Sequence, residues 1–277
     1  MSILVYKTFE GIIASRDNQN YLLPDTDWDG FINRDDVLEQ VTQQLDGLES
    51  IGSGIPEKVL APIGTQEVWA AGVTYFKSRE ARMEESQDAG GGDFYDRVYS
   101  ADRPELFAKA TAHRVSAPGE FIRIRKDSTW DVPEPELTLC MTSSGKIVGY
   151  TAGNDVSSRS IEGENPLYLP QAKTYDKCAA LGPAILLCDA FDLSAQTIGL
   201  AIDRGGERIF DESISLSSLK RTPEELAEFL YRESSFPTGS FLMTGTGIVP
   251  DHPFTLTPGD VVHISISGIG VLSNPVE

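Results

Sequence analysis

Basic residues, cysteine and histidine are all scarce in this chain of 277 residues. Lysine and arginine number 23 against 42 aspartates and glutamates, which gives a net charge of −19 at pH 7. A surface this negative repels phosphate backbones and anionic lipids, so the composition argues against nucleic-acid and membrane binding. The three cysteines, Cys140, Cys178 and Cys188, are an odd number without C-x-x-C spacing, which argues against a disulfide framework and a zinc site.

Long apolar runs are absent as well. No stretch approaches the roughly 18–20 apolar residues that a membrane helix needs, and the N-terminus lacks the basic segment and apolar core of a secretory signal. Hydrophobic residues make up 40% of the chain and charged residues 23%, which is typical of a globular protein. We therefore expect a soluble cytoplasmic protein.

The first part of the chain has the pattern of a small separate unit. Short apolar runs before residue 24 predict three strands, and the i, i+4, i+8 spacing of Val37, Val41 and Leu45 predicts a helix. Residues 47–56 are rich in Gly, Ser and Pro and predict a linker. We expect residues 1–62 to form a small N-terminal α/β domain.

The remainder, residues 63–277, consists mainly of short β-like runs and contains one strong helix signal. Thr222 is suited to the N-cap, Pro223 to the first helical position, and Glu225 completes a capping box. The sequence therefore predicts an α+β protein in which a β-rich domain with few helices follows the N-terminal unit.

An acidic segment in the N-terminal unit has two interpretations. Residues 25–36, DTDWDGFINRDD, place acids and a glycine where an EF-hand calcium loop has them. However, a strand-like stretch precedes the segment, and Asp36 stands where the usual glutamate would be. We favour the alternative, an Asx-rich turn that caps the helix beginning at Val37. The calcium loop would instead make the chain a calcium-dependent interaction protein.

The segment WDVPEPELTLCMT, residues 130–142, contains the best candidates for a metal site. Glu134 and Glu136 are two residues apart, so their side chains project to the same side of an extended segment. If the following strand returns through a two-residue turn at Ser144-Gly145, Glu134 faces Asp155. Clustered carboxylates repel one another unless a cation neutralises them, and oxygen ligands favour Mg²⁺, Mn²⁺ or Ca²⁺. The alternative is a solvated acidic hairpin end.

Three further positions carry groups that suit an anionic substrate. Lys173 lies in a polar, proline-bounded segment, where it supplies positive charge or is simply a surface lysine. Glu105, flanked by Arg103 and Lys109, is either a general acid or base or a salt-bridge partner. The segment TGTG at 244–247 offers hydroxyls and N–H groups to a carboxylate, or forms a plain glycine turn.

From about Val68 to the C-terminus, these segments resemble the fumarylacetoacetate hydrolase family. The motifs that carry the resemblance are RPELFAKAT (103–111), PEPEL (133–137), GKIVGYTAGNDVSSR (145–159), ENPLYLPQAKTYDKCAALGP (164–183) and TGTGIVP (244–250). The resemblance implies the mixed-sheet β roll of that family and a homodimer or homotetramer. It also implies that Glu134, Glu136 and Asp155 bind Mg²⁺, with Ca²⁺ or Mn²⁺ as alternatives.

The resemblance also implies which residues contact the substrate. Lys173 corresponds to a lysine that contacts substrate, and Thr244, Gly245 and Thr246 correspond to a segment that holds the substrate's carboxylate end. The same motifs contain further candidates for substrate contact, which are Arg103, Lys109 and Gln171. Together with Lys173, the two basic residues of this set would locally reverse the negative field of the protein.

One segment departs from the pattern of the hydrolases. Members that hydrolyse carry a histidine and a glutamate after the first strand, and the matching residues here are Ser78 and Ala81. Hydrolysis by that pair is therefore in doubt, and Ser78 becomes a candidate substrate contact. The branch that also lacks the histidine dehydrates 2-keto-3-deoxy sugar acids of pentose degradation.

We accordingly expect a Mg²⁺-dependent dehydratase that converts a 2-keto-3-deoxypentonate to 2,5-dioxopentanoate. Glu105 and Lys173 are the candidates for the acid and the base, in an order that stays open. We expect Lys173→Ala to abolish turnover and to leave metal affinity nearly intact. The alternatives are C–C hydrolysis of an acylpyruvate-type or fumarylacetoacetate-like diketo acid and the calcium-dependent interaction protein.

Overall fold

The computed structural model describes residues 1–77 and 97–277, and most of these residues lie in or between β-strands. In chain order the strands are Ser2–Lys7 (β1), Ile12–Arg16 (β2), Gln19–Leu22 (β3), Gly52–Ser53 (β4), Glu67–Gly72 (β5), Glu105–Thr111 (β6), Val115–Ser116 (β7), Asp131–Val132 (β8), Pro135–Met141 (β9), Ile147–Asp155 (β10), Ser157–Ser158 (β11), Ala179–Cys188 (β12), Thr197–Arg204 (β13), Glu207–Ser215 (β14), Ser240–Met243 (β15), Val261–Ile266 (β16) and Gly270–Pro275 (β17). The α-helices are Trp28–Ile32 (α1), Val37–Leu45 (α2), Arg159–Glu164 (α3), Leu169–Lys173 (α4) and Pro223–Tyr231 (α5), and short 3₁₀ turns cover Ala112–Arg114, Pro166–Tyr168, Leu193–Ala195 and Leu216–Ser218. None of the helices in the described ranges is long and apolar enough to span a membrane.

Most of the strands belong to one large mixed sheet. Its order is β4-β3-β2-β1-β12-β10-β9-β15-β5-β6, with β7 added beside β12. The pairs β15–β5 and β12–β7 are parallel, and the other neighbours are antiparallel. A four-stranded sheet, β14-β13-β16-β17, and a two-strand ladder, β11-β8, complete the β structure of the described residues. The predicted α+β class, rich in mixed sheet, is confirmed.

Alternate residues of the central strands supply two hydrophobic cores, one on each face of the large sheet. Leu139 of β9 and Leu242 of β15 pack against the four-stranded sheet and α5. Their sequence neighbours Cys140 and Phe241 point to the opposite face, where α1 and α2 pack. Because both faces of these strands are covered, their sequences are almost continuously apolar.

The predicted length of the turn between β9 and β10, two residues, is wrong by one residue. Thr142 and Lys146 pair through a Thr142 N–H···O bond of 3.0 Å, so the loop consists of the three residues Ser143–Gly145. Gly145 has a φ of +84°, the left-handed conformation that three-residue hairpin loops need at this position. A β-bulge at Val148 then inserts one residue and restores the register predicted for the far end of the hairpin.

The predicted α2 and α5 helices are confirmed, with differences at their caps. Helix α2 begins at Val37 and buries the three predicted apolar residues, but Asp36 makes no side-chain capping bond. In α5, Thr222 Oγ1 accepts a bond from the Glu225 N–H at 3.1 Å, as predicted. The Glu225 carboxylate accepts a bond of 2.5 Å from Nη1 of the buried Arg221. In a capping box this carboxylate accepts from the N–H of the N-cap residue, so the Arg221 guanidinium competes with the Thr222 N–H for it.

The strands of the N-terminal unit extend the large sheet, because β1 pairs with β12. The predicted linker, residues 47–56, contains the short strand β4, which pairs with β3. The division of the chain at residue 62 stays a prediction.

The aspartates of residues 25–36 bind separate partners. Asp25 accepts bonds from Arg34 and Gln44, Asp29 from Thr65 and Gln66, and Asp35 from Thr142 and Ser144, while helix α1 forms within the segment. The Asp29 carboxylate thus anchors α1 to the chain entering β5. In the described part of the chain these acids do not converge as an EF-hand loop would require.

Candidate functional site

Three carboxylates converge where β9 and β10 pair. Glu136 in β9 lies opposite Gly153 in β10, and continuing this register brings Glu134 beside Asp155. The Asp155 N–H donates to the Glu134 carbonyl at 3.0 Å. Each of Glu134, Glu136 and Asp155 offers an oxygen within 4.8 Å of the others, and all three residues are buried. We call this group the acidic centre; its predicted clustering is confirmed, and its role as a metal site stays a prediction.

Burial makes the acidic centre electrostatically costly in the absence of cations. Burial raises the pKa of Glu136 well above its ordinary value, and the neighbouring Asp155 and Glu134 raise it further. The Lys173 ammonium and the Gly245 N–H act in the opposite direction. The N–H of Gly245 donates to Glu136 Oε2 at 2.5 Å, which fixes this carboxylate in place.

Lys173 is a buried cation that contacts two members of this group. Its side chain is fully buried at the end of α4, and Nζ lies 2.9 Å from Glu134 Oε2 and 3.0 Å from Asp155 Oδ2. Nζ also donates to Ser157 Oγ at 2.5 Å. The predicted loop lysine is therefore a buried cation among carboxylates, and the surface-lysine alternative is wrong.

Lys109 contacts the other carboxylate oxygen of Asp155. It lies at a β-bulge in β6, where the register with β5 shifts by one residue, and bulges of this kind redirect side chains. Its fully buried Nζ lies 2.6 Å from Asp155 Oδ1 and donates to the carbonyls of Val156 (3.0 Å) and Lys173. The three acceptors are protein atoms, so these contacts hold Asp155 in place; the predicted substrate contact of Lys109 stays a prediction.

Arg159 and Glu162 lie beside the acidic centre and Lys173. Neither of them was identified as a site residue from the sequence. Ser158 caps α3, which places residues 159 and 162 one turn apart on the buried side of the helix. Arg159 Nη2 lies 2.8 Å from Glu134 Oε1, and Nε lies 3.8 Å from Glu162 Oε2. The signal was an i, i+3 pair of opposite charge directly after a Ser-rich strand end, but such pairs are usually solvent-exposed.

A small cavity opens beside the acidic centre. Its polar wall comprises Glu134, Asp155, Arg159 and Lys173, and Phe107, the 71–73 backbone and the 245–246 turn form the rest. The larger surface grooves found among the described residues do not reach these side chains. The cavity therefore combines carboxylates for a cation with two cationic side chains for an anion.

Glu105 lies beside Gly72, a residue that lines this cavity. It opens β6, opposite Gly72, and its carboxylate rests directly on the glycine. A Cβ at position 72 would stand 2.0 Å from Glu105 Oε2. Since Gly72 itself lines the cavity, the predicted acid or base lies against a lining residue, and its role in catalysis stays a prediction.

The 244–246 turn uses most of its polar groups within the protein. Thr244 Oγ1 donates to the Leu137 carbonyl at 2.9 Å, and Thr246 Oγ1 donates to the Ile248 carbonyl at 3.0 Å. Thr246 and Gly245 line the cavity. Contact of Thr244, Gly245 and Thr246 with a substrate carboxylate stays a prediction.

Other predicted contact residues lie outside the cavity lining. Arg103 is exposed, with its guanidinium 5.5 Å from the centre of the Phe229 ring. Gln171 is also exposed, and its carbonyl accepts a bond from Arg125. Ser78 lies outside the described residues, so its assignment as a substrate contact stays a prediction, as do those of Arg103 and Gln171.

Comparison with known proteins assigns these features to a family. A family model described as fumarylacetoacetate (FAA) hydrolase C-terminal matches residues 97–277. A Haloferax volcanii protein named "probable 2-keto-3-deoxyxylonate dehydratase" is 44% identical over 96% of this chain and 94% of its own length. A 2-dehydro-3-deoxy-D-arabinonate dehydratase of Saccharolobus solfataricus is 43% identical over 79% of this chain and 74% of its own length.

Solved structures show the same similarity over the whole chain. A 2-keto-3-deoxy-D-arabinonate dehydratase complexed with magnesium and 2,5-dioxopentanoate superimposes with a TM-score of 0.82 and is 34% identical. The match covers 100% of this chain and 99% of the other. The similarity therefore includes the N-terminal strands as well as the region that the family model matches.

Proposed function

The chain belongs to the fumarylacetoacetate hydrolase family, and we propose that it is a Mg²⁺-dependent dehydratase that converts a 2-keto-3-deoxypentonate to 2,5-dioxopentanoate. The observation that carries the proposal is the buried acidic centre beside Lys173, in a chain 43–44% identical to two sugar-acid dehydratases. The product and the metal are those named for the similar solved complex.

The acidic centre has the composition of a magnesium site. Glu134, Glu136 and Asp155 provide oxygen atoms alone, which suits Mg²⁺, Mn²⁺ or Ca²⁺ better than zinc. Burial, together with repulsion by Asp155 and Glu134, raises the pKa of Glu136, and a bound cation would relieve that repulsion. When bound, Mg²⁺ would act as a Lewis acid that withdraws electrons from the 2-keto group and so acidifies C3.

Residues of the cavity wall would bind and orient the substrate. Lys173 and Arg159 place positive charge at the cavity of a chain whose net charge is −19, and they would attract the carboxylate of a sugar acid. Phe107 and the 71–73 backbone would pack against the carbon chain and exclude water. The narrow, polar cavity thus favours a short anionic substrate.

We assign proton transfer to two ionisable groups, Lys173 in the cavity wall and Glu105, which lies against the lining residue Gly72. Dehydration removes a proton from C3 to a base, and the C4 hydroxyl leaves as water after receiving a proton from an acid. A later shift of a proton from C5 to C3 converts the product of this elimination into an enol, and transfer of the enol hydroxyl proton to C4 gives the aldehyde. In this proposal one of the two groups receives the proton and the other donates it.

The larger assembly is also part of the proposal. Strand β14 lies at an open sheet edge with Ile209 43% exposed, which supports association into a homodimer or homotetramer. Light scattering would measure the molar mass of the assembly directly. Cytoplasmic location and division into units 1–62 and 63–277 are proposed from the sequence, and cell fractionation and limited proteolysis would test them.

Product analysis by mass spectrometry tests the reaction. The purified protein is incubated with a racemic 2-keto-3-deoxypentonate and Mg²⁺, and a parallel sample contains EDTA. Metal-dependent loss of one water is expected. If a folded, metal-loaded protein converts none of the substrate, the dehydratase proposal is wrong. Release of pyruvate from an acylpyruvate-type diketo acid would instead indicate a hydrolase.

A further inference from the structure

The Lys173 ammonium contacts two kinds of carboxylate. Glu134 Oε2 and Asp155 Oδ2, at 2.9 and 3.0 Å, belong to the acidic centre. Glu162 Oε1, at 3.3 Å, belongs to a residue outside the acidic centre. With Ser157 Oγ, four oxygens share the three protons of one ammonium, so these contacts compete.

A metal ion would change this competition. A divalent cation held by the acidic centre and an ammonium on two of the same carboxylates repel each other strongly, because the surrounding site excludes water. Lys173 is fully buried and cannot move its charge into solvent without leaving the site. Its charge therefore needs a second buried acceptor within reach.

Glu162 has the properties of that acceptor. It is 2% exposed, it already lies 3.3 Å from Lys173 Nζ, and it is not one of the three converging carboxylates. Arg159 contacts both Glu134 and Glu162, at 2.8 and 3.8 Å, and so links the position of Glu162 to the acidic centre.

We propose that Glu162 is a positioning residue that receives the Lys173 ammonium when the acidic centre takes up its metal. The proposal rests on the metal site of the proposed function. No covalent bond forms or breaks and no proton is transferred; the ammonium changes its carboxylate partner and stays in the cavity wall. Glu162 would thereby allow the metal and the charged lysine to be present together when an anionic substrate binds.

The test is Mg²⁺ calorimetry on chelator-treated full-length protein. Glu162→Gln keeps the shape of the side chain, and Glu164→Gln, at an exposed position on the same helix, is the matched control. We expect Glu162→Gln to weaken Mg²⁺ binding by at least about tenfold, as the loss of outer-shell partners does. The control should bind within about twofold of the wild type. At saturating Mg²⁺, Glu162→Gln should lower kcat more than it raises KM.

A lysine-free background separates this role from a simple loss of negative charge. Lys173→Met protein lacks the ammonium that Glu162 is proposed to receive, so adding Glu162→Gln should change Mg²⁺ affinity by less than about twofold. Equal weakening in both backgrounds, or unchanged affinity in the wild-type background, would overturn the proposal. If Glu162→Gln does not fold, Glu162→Asp replaces it, with a smaller loss expected that also disappears without Lys173.

Calorimetry also separates this proposal from the proposed reaction, because it requires no sugar acid. If the wild type and the variants rank in Mg²⁺ affinity as predicted but the wild type dehydrates no sugar acid, only the proposed reaction is contradicted. Wild-type protein that does not bind Mg²⁺ would contradict both proposals.

Discussion

Replacing Lys173 with methionine should strengthen metal binding while abolishing turnover. The side chain keeps its length and apolar stem but loses the ammonium that lies 2.9 and 3.0 Å from two carboxylates of the acidic centre. From the sequence we expected Lys173→Ala to leave the metal affinity nearly intact. The structure changes that expectation, because the sequence did not reveal that the lysine and the metal would share carboxylates.

The size of the effect follows from the charges involved. Two unit charges about 4 Å apart interact by about 4 kcal/mol at an effective dielectric of about 20, so an ammonium and a dication at that separation repel by about 8 kcal/mol. The lysine can relieve most of this by moving toward Glu162. If only about 2 kcal/mol remains, removing the lysine tightens Mg²⁺ binding by more than about tenfold.

The same substitution should destabilise the metal-free protein. Removing one partner of a buried ion pair costs about 3–5 kcal/mol, because the remaining charges are left uncompensated. Urea unfolding with and without Mg²⁺ should therefore show a lower stability without metal and a larger gain on adding metal than the wild type shows. Lys177→Met, at a surface lysine 3.4 Å from Glu277, is the control and should change neither quantity measurably. Weaker or unchanged Mg²⁺ binding by Lys173→Met would refute the reasoning.

Three further substitutions test other parts of the site. Glu136→Gln should weaken Mg²⁺ binding by at least about a hundredfold, since even outer-shell losses reach that size; near-normal calorimetric affinity would exclude Glu136 as a ligand. Gly72→Ala places a Cβ against Glu105 Oε2, so kcat should fall by about a hundredfold for a displacement of about 1 Å, with Mg²⁺ affinity retained; an unchanged kcat would argue against a role for Glu105. Burial raises the pKa of Asp131 from its ordinary 3.8 to about 6, so the folded state holds the proton more tightly and stability falls as the pH rises through this range. Asp131→Asn should then exceed the wild type in unfolding free energy by about 3 kcal/mol at pH 8 and by about half of that at pH 5; a difference that does not vary with pH would contradict the assignment.

The sequence predicted the features that depend on periodicity and local spacing. Helix α2 follows from three apolar residues at helical spacing, and the acidic centre follows from Glu134 and Glu136 around the start of β9 with Asp155 at the end of β10. The register at the site was predicted correctly although the turn was not. The bulge at Val148 compensates for the extra loop residue, and nothing in local turn preference specifies such a compensation.

Features that depend on tertiary packing were not accessible from the sequence. Arg159 and Glu162 have the composition of a solvated helix face, and only the packing of α3 over the acidic centre buries them. Lys109 was expected to face the substrate because it is charged and lies in a matching motif. That contact stays a prediction, but the sequence did not indicate that the β-bulge in β6 turns the ammonium toward Asp155 and two backbone carbonyls.

The pairing of β1 with β12 has a consequence for protein engineering. Strand β12 carries Ala179 opposite Asp155 at one end, and at its other end Ile185–Cys188 pair with β1. Removing the N-terminal residues would leave that second end as an unprotected apolar edge, with backbone donors and acceptors available to any other extended chain. A fragment trimmed to the region matched by the family model would thus be prone to aggregate through the strand that adjoins the acidic centre. Full-length protein is the appropriate starting material for crystallisation and assay.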